Sequence, residues 1–147
     1  MAGNPGVVQG TLNRLRGSVL WSGFPQLNVT APFLAKAGIR LAFQGKSVVY
    51  IDTLTGAVSS PEPYLHVSVS MALLKTQALA DAYKDQWELL ATLGDGVVRS
   101  DSKAMKPWQI TNMSISEVGE LTFNGEEVIY PVVCEGFYVI NSALWDL

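Results

Sequence analysis

The sequence contains one cysteine, Cys134, and one histidine, His66, in 147 residues. A single cysteine excludes an intrachain disulfide framework and any metal site built from several thiolates. A single histidine means that any Ser-His or Cys-His pair must use His66. Charge is also scarce: 16% of residues are charged, below the roughly one quarter usual in soluble domains. The net charge of -3 and pI near 5.0 offer no long-range attraction to phosphate backbones or anionic membranes. No run approaches the roughly twenty apolar residues of a membrane span. The opening MAGNPGVVQGTLNRLRG lacks the apolar core of a signal peptide. The chain is therefore expected to fold in a cytoplasm, where the sequon Asn28-Val29-Thr30 is a chance match.

Apolar residues, by contrast, are plentiful. They make up 48% of the chain, and the mean hydropathy is +0.22. So little charge cannot cover a whole surface, so part of the apolar surface is expected to be hidden by other subunits. The length suits one domain with a real core, expected over residues 12–147. Residues 1–11, rich in Gly, Pro, Asn and Gln, read as a flexible arm.

The pattern is mostly β. Short segments near 15–21, 26–30, 38–43 and 47–51 are rich in Val, Ile, Leu and aromatics and are separated by turn signals. Gln44-Gly45-Lys46 reads as a hairpin turn, and TLTGAVSSPEP as a long exposed connection. From Tyr64 the alternation is clean: Leu65, Val67, Val69 and Met71 share one strand face, and His66, Ser68 and Ser70 share the other. The period then changes. Leu79, Ala82, Tyr83, Gln86, Trp87 and Leu90 recur at helical spacing, predicting an amphipathic helix over 76–91. Thr76 is its expected N-cap and Leu93-Gly94-Asp95-Gly96 its expected end. Strands are predicted over 97–100, 108–118 and 128–140, with a short one possible at Leu121–Phe123. The expected fold is mainly β: an antiparallel sandwich or barrel with one packed helix.

Chemistry is hard to find in this pattern. Ser68 and Ser70 follow His66 on one strand, about 7 Å apart per two residues, with no third group to orient the ring. No His or Cys cluster suggests a metal, and Asp95 and Asp101 do not fit a calcium loop. Gly94-Asp95-Gly96 follows a helix and lacks the Lys and Ser/Thr of a phosphate loop. Cys134, within VIYPVVCEGFYVI, reads as a buried, inert thiol. Of the four tryptophans, Trp87 lies on the apolar stripe and is expected in the core or an interface, while Trp21 or Trp108 would serve a carbohydrate-binding module as a platform. A small hydrolase would depend on His66. The chain is expected not to be an enzyme and to need no cofactor.

The stretch GSVLWSGFPQLNVTAPFLAKAGIRLAFQG, the segment TLTGAVSSPEP, the helix LKTQALADAYKDQWELL and the closing ITNMSISEVGELTFNGEEVIYPVVCEGFYVINSAL together resemble a tail tube protein of contractile-tailed bacteriophages. The resemblance runs roughly from Leu12 to Trp145, and related tubes occur in type VI secretion systems and pyocins. It implies subunits that form six-membered rings stacked into a hollow tube. It also implies a surrounding sheath protein, a tape measure protein in the lumen during assembly, baseplate and terminator proteins at the ends, and DNA passing through. The site of action would be the virion tail, assembled in the bacterial cytoplasm. A terminator or an inner baseplate ring is the alternative within the same class.

Within that reading, the axial contact between rings is expected at Gln44 to Pro63, through Gln44, Lys46, Asp52, Thr53, Leu54, Thr55, Ser59, Ser60 and Glu62, assisted by the arm. These residues are exposed and flexible enough to order on meeting a neighbour. His66, Ser68 and Ser70 are the expected lumen row. A wall without positive charge would not gain counterion release on contact with DNA and so would not hold it.

Overall fold

The computed structural model describes residues 16–101 and 105–146; the expected arm at 1–11 lies outside them. The elements in chain order are β1 (Gly17–Trp21), β2 (Leu34–Gln44), β3 (Val48–Thr53), β4 (Gly56–Pro61), β5 (Tyr64–Leu74), α1 (Ala78–Leu89), β6 (Thr92–Ser100), β7 (Trp108–Val118) and β8 (Ile129–Val139). Six strands form one antiparallel sheet, ordered β1-β6-β7-β8-β5-β2, that curls into a half-barrel. The other two, β3 and β4, form a separate two-stranded ribbon. The fold is thus mainly β with one helix.

Alternation places the core. Val67, Val69, Met71 and Leu73 of β5 are buried on the inner face, beside Val132 and Cys134 of β8. On β7 the buried residues are Ile110, Met113 and Ile115, a three-residue step that breaks the strand period. A register shift between Thr111 and Ser114 absorbs the extra residue, as a β-bulge does. Asn112 sits there with φ of 50°, and its backbone N–H donates to Asp95 Oδ1 at 3.1 Å. Asparagine is among the few side chains that tolerate this conformation.

Helix α1 closes the inner face with Leu79, Ala80 and Tyr83. Burial of these side chains anchors the helix, and one polar chain directs it. Trp21 Nε1 donates to the Tyr83 hydroxyl at 2.9 Å, and that hydroxyl donates to the Leu27 carbonyl at 2.7 Å. Both groups are buried, where an unpaired donor or acceptor is costly.

Several boundaries differ from expectation. The helix is Ala78–Leu89, its N-cap is Gln77 and not Thr76, and no side chain caps it. No glycine ends it: Leu90 is extended, and Ile115 N–H donates to the Ala91 carbonyl at 2.8 Å, so β7 captures the chain as soon as it leaves the helix. Gly94 and Gly96 lie inside β6, at its register shifts. Gly96 is required by packing, because a Cβ there would stand 2.6 Å from the Trp21 ring. The expected strand at 26–30 is a 3-10 turn at Pro25–Leu27 followed by a lone bridge from Val29 to Val19, since proline favours the turn and supplies no donor. Leu121–Phe123 is a loop. Lys75 Nζ holds it by donating to the carbonyls of Thr122 and Glu127.

Replacing Tyr83 with Phe leaves the Leu27 carbonyl and the Trp21 N–H unpaired and should cost about 1–3 kcal/mol in denaturant unfolding. Burial, opposed by the Trp21 bond, raises the Tyr83 hydroxyl above its ordinary value of 10.0. The folded state therefore prefers the neutral phenol, so this contribution is complete below that value and falls as pH rises above it. The Phe variant should show a shallower alkaline decline in stability. Gly96→Ala should cost about 1–3 kcal/mol by overpacking against Trp21, measured the same way.

Candidate functional site

Two surfaces stand out: the β3–β4 ribbon and the outer face of the sheet. The ribbon pairs Val48 with Pro61 through to Thr53 with Gly56. Its tight turn falls at Leu54-Thr55, where Thr53 Oγ1 donates to the Gly56 carbonyl at 2.9 Å. This corrects the expected hairpin turn at Gln44-Gly45-Lys46. Strand β2 pairs with β5, and β3 with β4, so Gln44 to Lys46 only lead from the sheet into the ribbon. Residues 53–60, expected as a flexible connection, hold the turn and most of a paired strand.

The base of the ribbon is tied down. Asn141, at φ of 49°, donates through Nδ2 to the carbonyls of Ser47 at 3.1 Å and Glu62 at 2.7 Å. Glu62 N–H also donates to the Ser47 carbonyl at 2.9 Å. Beyond this clamp the ribbon projects. Gln44, Lys46, Asp52, Thr53, Leu54, Thr55 and Ser59 are exposed, and Ser60 and Glu62 are half-buried.

Pairing also reveals what the sequence reading missed. Val49, Ile51 and Val58 fall on one ribbon face by register and are all exposed, while Tyr50 on the other face is 70% exposed and Leu54 at the turn fully so. An isolated two-stranded ribbon is marginal in water, and an uncovered apolar face makes it more so. The signal lay in the alternation of Val49 and Ile51. Recognising it required knowing that 56–61 is their partner.

The outer sheet face carries the second set. His66, Ser68 and Ser70 lie opposite the buried Val67, Val69 and Met71, as alternation requires. By register His66 stands between Gln44 and Phe137, Ser68 between Ala42 and Glu135, and Ser70 between Arg40 and Val133. His66 and Ser68 border a groove of about 310 Å³ that also includes Ser114 and Ser116. The His66 ring meets Tyr64 edge-on at 5.8 Å and leans on Phe137 at 5.7 Å. Ser68 is two residues along the strand, about 7 Å by strand rise, beyond a hydroxyl-imidazole bond.

Other candidates change with the structure. Trp21 is 2% exposed and cannot be a sugar platform. Trp108 is half-buried in an aromatic cluster with Phe43 at 5.5 Å and Tyr138 at 5.6 Å. Trp87, expected in the core or an interface, is 43% exposed because the helix buries only Leu79, Ala80 and Tyr83. Cys134 is buried as expected, and burial pushes its thiol up to about 12. Among the described residues no three His, Cys, Asp or Glu side chains gather as a metal site. No described helix is long and apolar enough to cross a membrane.

No protein-family model and no curated protein sequence matches the chain. Among solved structures it is similar to the anti-feeding prophage cap, described as a tube terminating cap and determined by cryo-EM. That alignment covers 90% of each chain at 13% identity, with a TM-score of 0.48.

Because the Cys134 thiol ionises only near 12, thiol reagents at pH 8 should leave the native chain unmodified and label it after unfolding, read by mass spectrometry. Labelling of the native chain at the rate of a free thiol would mean that the inner face opens readily.

Proposed function

We propose that this chain is a structural ring subunit of the tail tube of a contractile-tailed phage or a related injection device. Its copies would associate into hexameric rings that stack into a hollow conduit for DNA. The observation that carries this reading is the clamped ribbon, which holds an apolar face in water. Such a face is a binding surface awaiting its partner. The resemblance of the sequence to tail tube proteins supplies the partner: another copy.

In this reading Gln44 to Pro63 make the contact between rings, with the apolar residues Val49, Ile51, Leu54 and Val58 contributing most of its energy and Asp52, Thr53, Thr55, Ser59 and Ser60 its polar edge. Apolar side chains at the centre of an interface outweigh exposed polar ones at the rim. The row of His66, Ser68 and Ser70 faces the lumen. Its neighbours across the sheet bring in only Arg40 and Glu135 as charges, which suits a wall that passes DNA without holding it. The sheath, tape measure, baseplate and terminator proteins are the partners of such a tube, and the virion tail is its location.

Negative-stain electron microscopy of the purified chain over a range of concentrations should show rings with a central hole, or tubes. Single rings that never stack would favour a terminator, and a monomer at every concentration, in the presence of preformed tube ends, would reject the reading. Deleting Thr53 to Ser60 should leave folded chains that do not stack. A cysteine at position 68 should react with a small thiol reagent in assembled tubes, and protection of that cysteine would place the lumen elsewhere.

A further inference from the structure

The ribbon tip has a counterpart on the same chain. Leu54 stands fully exposed at the turn, and Asp52 is the only charged residue between Val48 and Pro61. Where the outer strands β1 and β2 of the curled sheet approach each other without pairing lies a groove of about 360 Å³. Leu41, Phe43, Met105 and Trp108 line it, and Arg16 and Arg99 stand at its rim. The groove is apolar with positive charge, and the tip is apolar with negative charge.

We propose that this groove receives the ribbon tip of a second copy, with Leu54 seated among Phe43, Met105 and Trp108 and Asp52 paired with Arg99. The proposal rests on the chain being a self-assembling subunit and names the surface its ribbon meets. Charge favours it: Arg16 is already engaged with Asp101 at 3.7 Å, whereas Arg99 has no ion pair among the described residues. Exposure favours it too, since Val49, Ile51 and Val58 on one ribbon face and Leu54 at the turn all stand in water, a contiguous apolar patch of the kind that marks an interaction site. The ribbon does not fill its own groove, because Asn141 clamps its base and Leu54 stands clear. A contact between two unlike patches of one chain is heterologous, so it either closes into a ring or propagates as a stack.

The test mixes two full-length variants, Leu54→Cys and Met105→Cys, under mild oxidation, with circular dichroism confirming that each is folded. The expected result is a disulfide-linked dimer from the mixture, at least about tenfold above the homodimers of either variant alone. Adding Asp52→Arg to the first variant should reduce that product about tenfold, and Arg99→Asp in the second should restore it. Linkage mainly between two copies of the Leu54→Cys variant would mean that ribbons pair with ribbons, and an internal disulfide in a chain carrying both substitutions would mean that the tip meets its own groove; either overturns the proposal. Absence of cross-links while the wild-type chain forms rings overturns this contact and leaves the tube reading intact. Absence of both overturns the two together.

Discussion

The described structure depends on one buried polar relay, from the Trp21 indole through the Tyr83 hydroxyl to the Leu27 carbonyl. It ties the helix to β1 and to the 3-10 turn that follows β1, two elements already joined by the Val19–Val29 bridge. A half-barrel has an inner face that must be covered, and α1 covers it with only three buried side chains. Apolar contact alone is non-directional and would let so short a seam slide. The relay fixes the position, because displacing Tyr83 would orphan a donor and an acceptor at once. Gly96 serves the same end, since the Trp21 ring occupies the space its side chain would fill.

Much of this was legible from the sequence, and the losses share a cause. The alternation around Val67 to Met71 predicted both faces of β5 correctly, because burial on one side and solvent on the other enforce a period of two. The helix was visible from its spacing, but its ends were not. Thr76 and Gly94 are residue types that favour caps, Thr76 by its hydroxyl and Gly94 by its backbone freedom, yet β6 begins at Thr92 because β7 takes up the backbone at Ala91. Long-range pairing overrode local preference there. The same reason hid the ribbon: nothing local in TLTGAVSSPEP shows that Ile51 faces Val58. Trp87 lies outside the core of the single chain, because the buried stripe of the helix is narrower than its apolar stripe, and Trp21 is buried where a binding platform would need it exposed. Within the candidate site, the exposed residues from Gln44 to Glu62 could be read from polarity, whereas the apolar face beside them could not.

The contrast between core and ribbon bears on function. Among the described residues the core holds no buried charge, and its polar atoms are satisfied, so the chain has no internal reason to leave an apolar ribbon in water. Asn141 adopts a left-handed conformation to clamp that ribbon at its base. A clamp costs entropy in the free chain but lowers the entropy lost on binding, which is how a small contact gains strength. In a repeating assembly the same saving recurs at every subunit.

A low charge content then has two consequences that act together. It leaves the ribbon and the groove wall apolar enough to bind, and it leaves the row of Ser68 and Ser70 with one charge of each sign, Arg40 and Glu135, among its cross-strand neighbours, so the wall proposed for a conduit carries no net positive charge there. In the proposed contact the few charges that remain, Asp52 on the tip and Arg99 on the rim, would carry orientation more than affinity. Apolar surfaces alone would accept a ribbon in several registers, and a single opposite pair at the edge of the groove selects among them. Self-assembly of identical copies, as proposed, would require that selection, because an error in one contact would be propagated by the next.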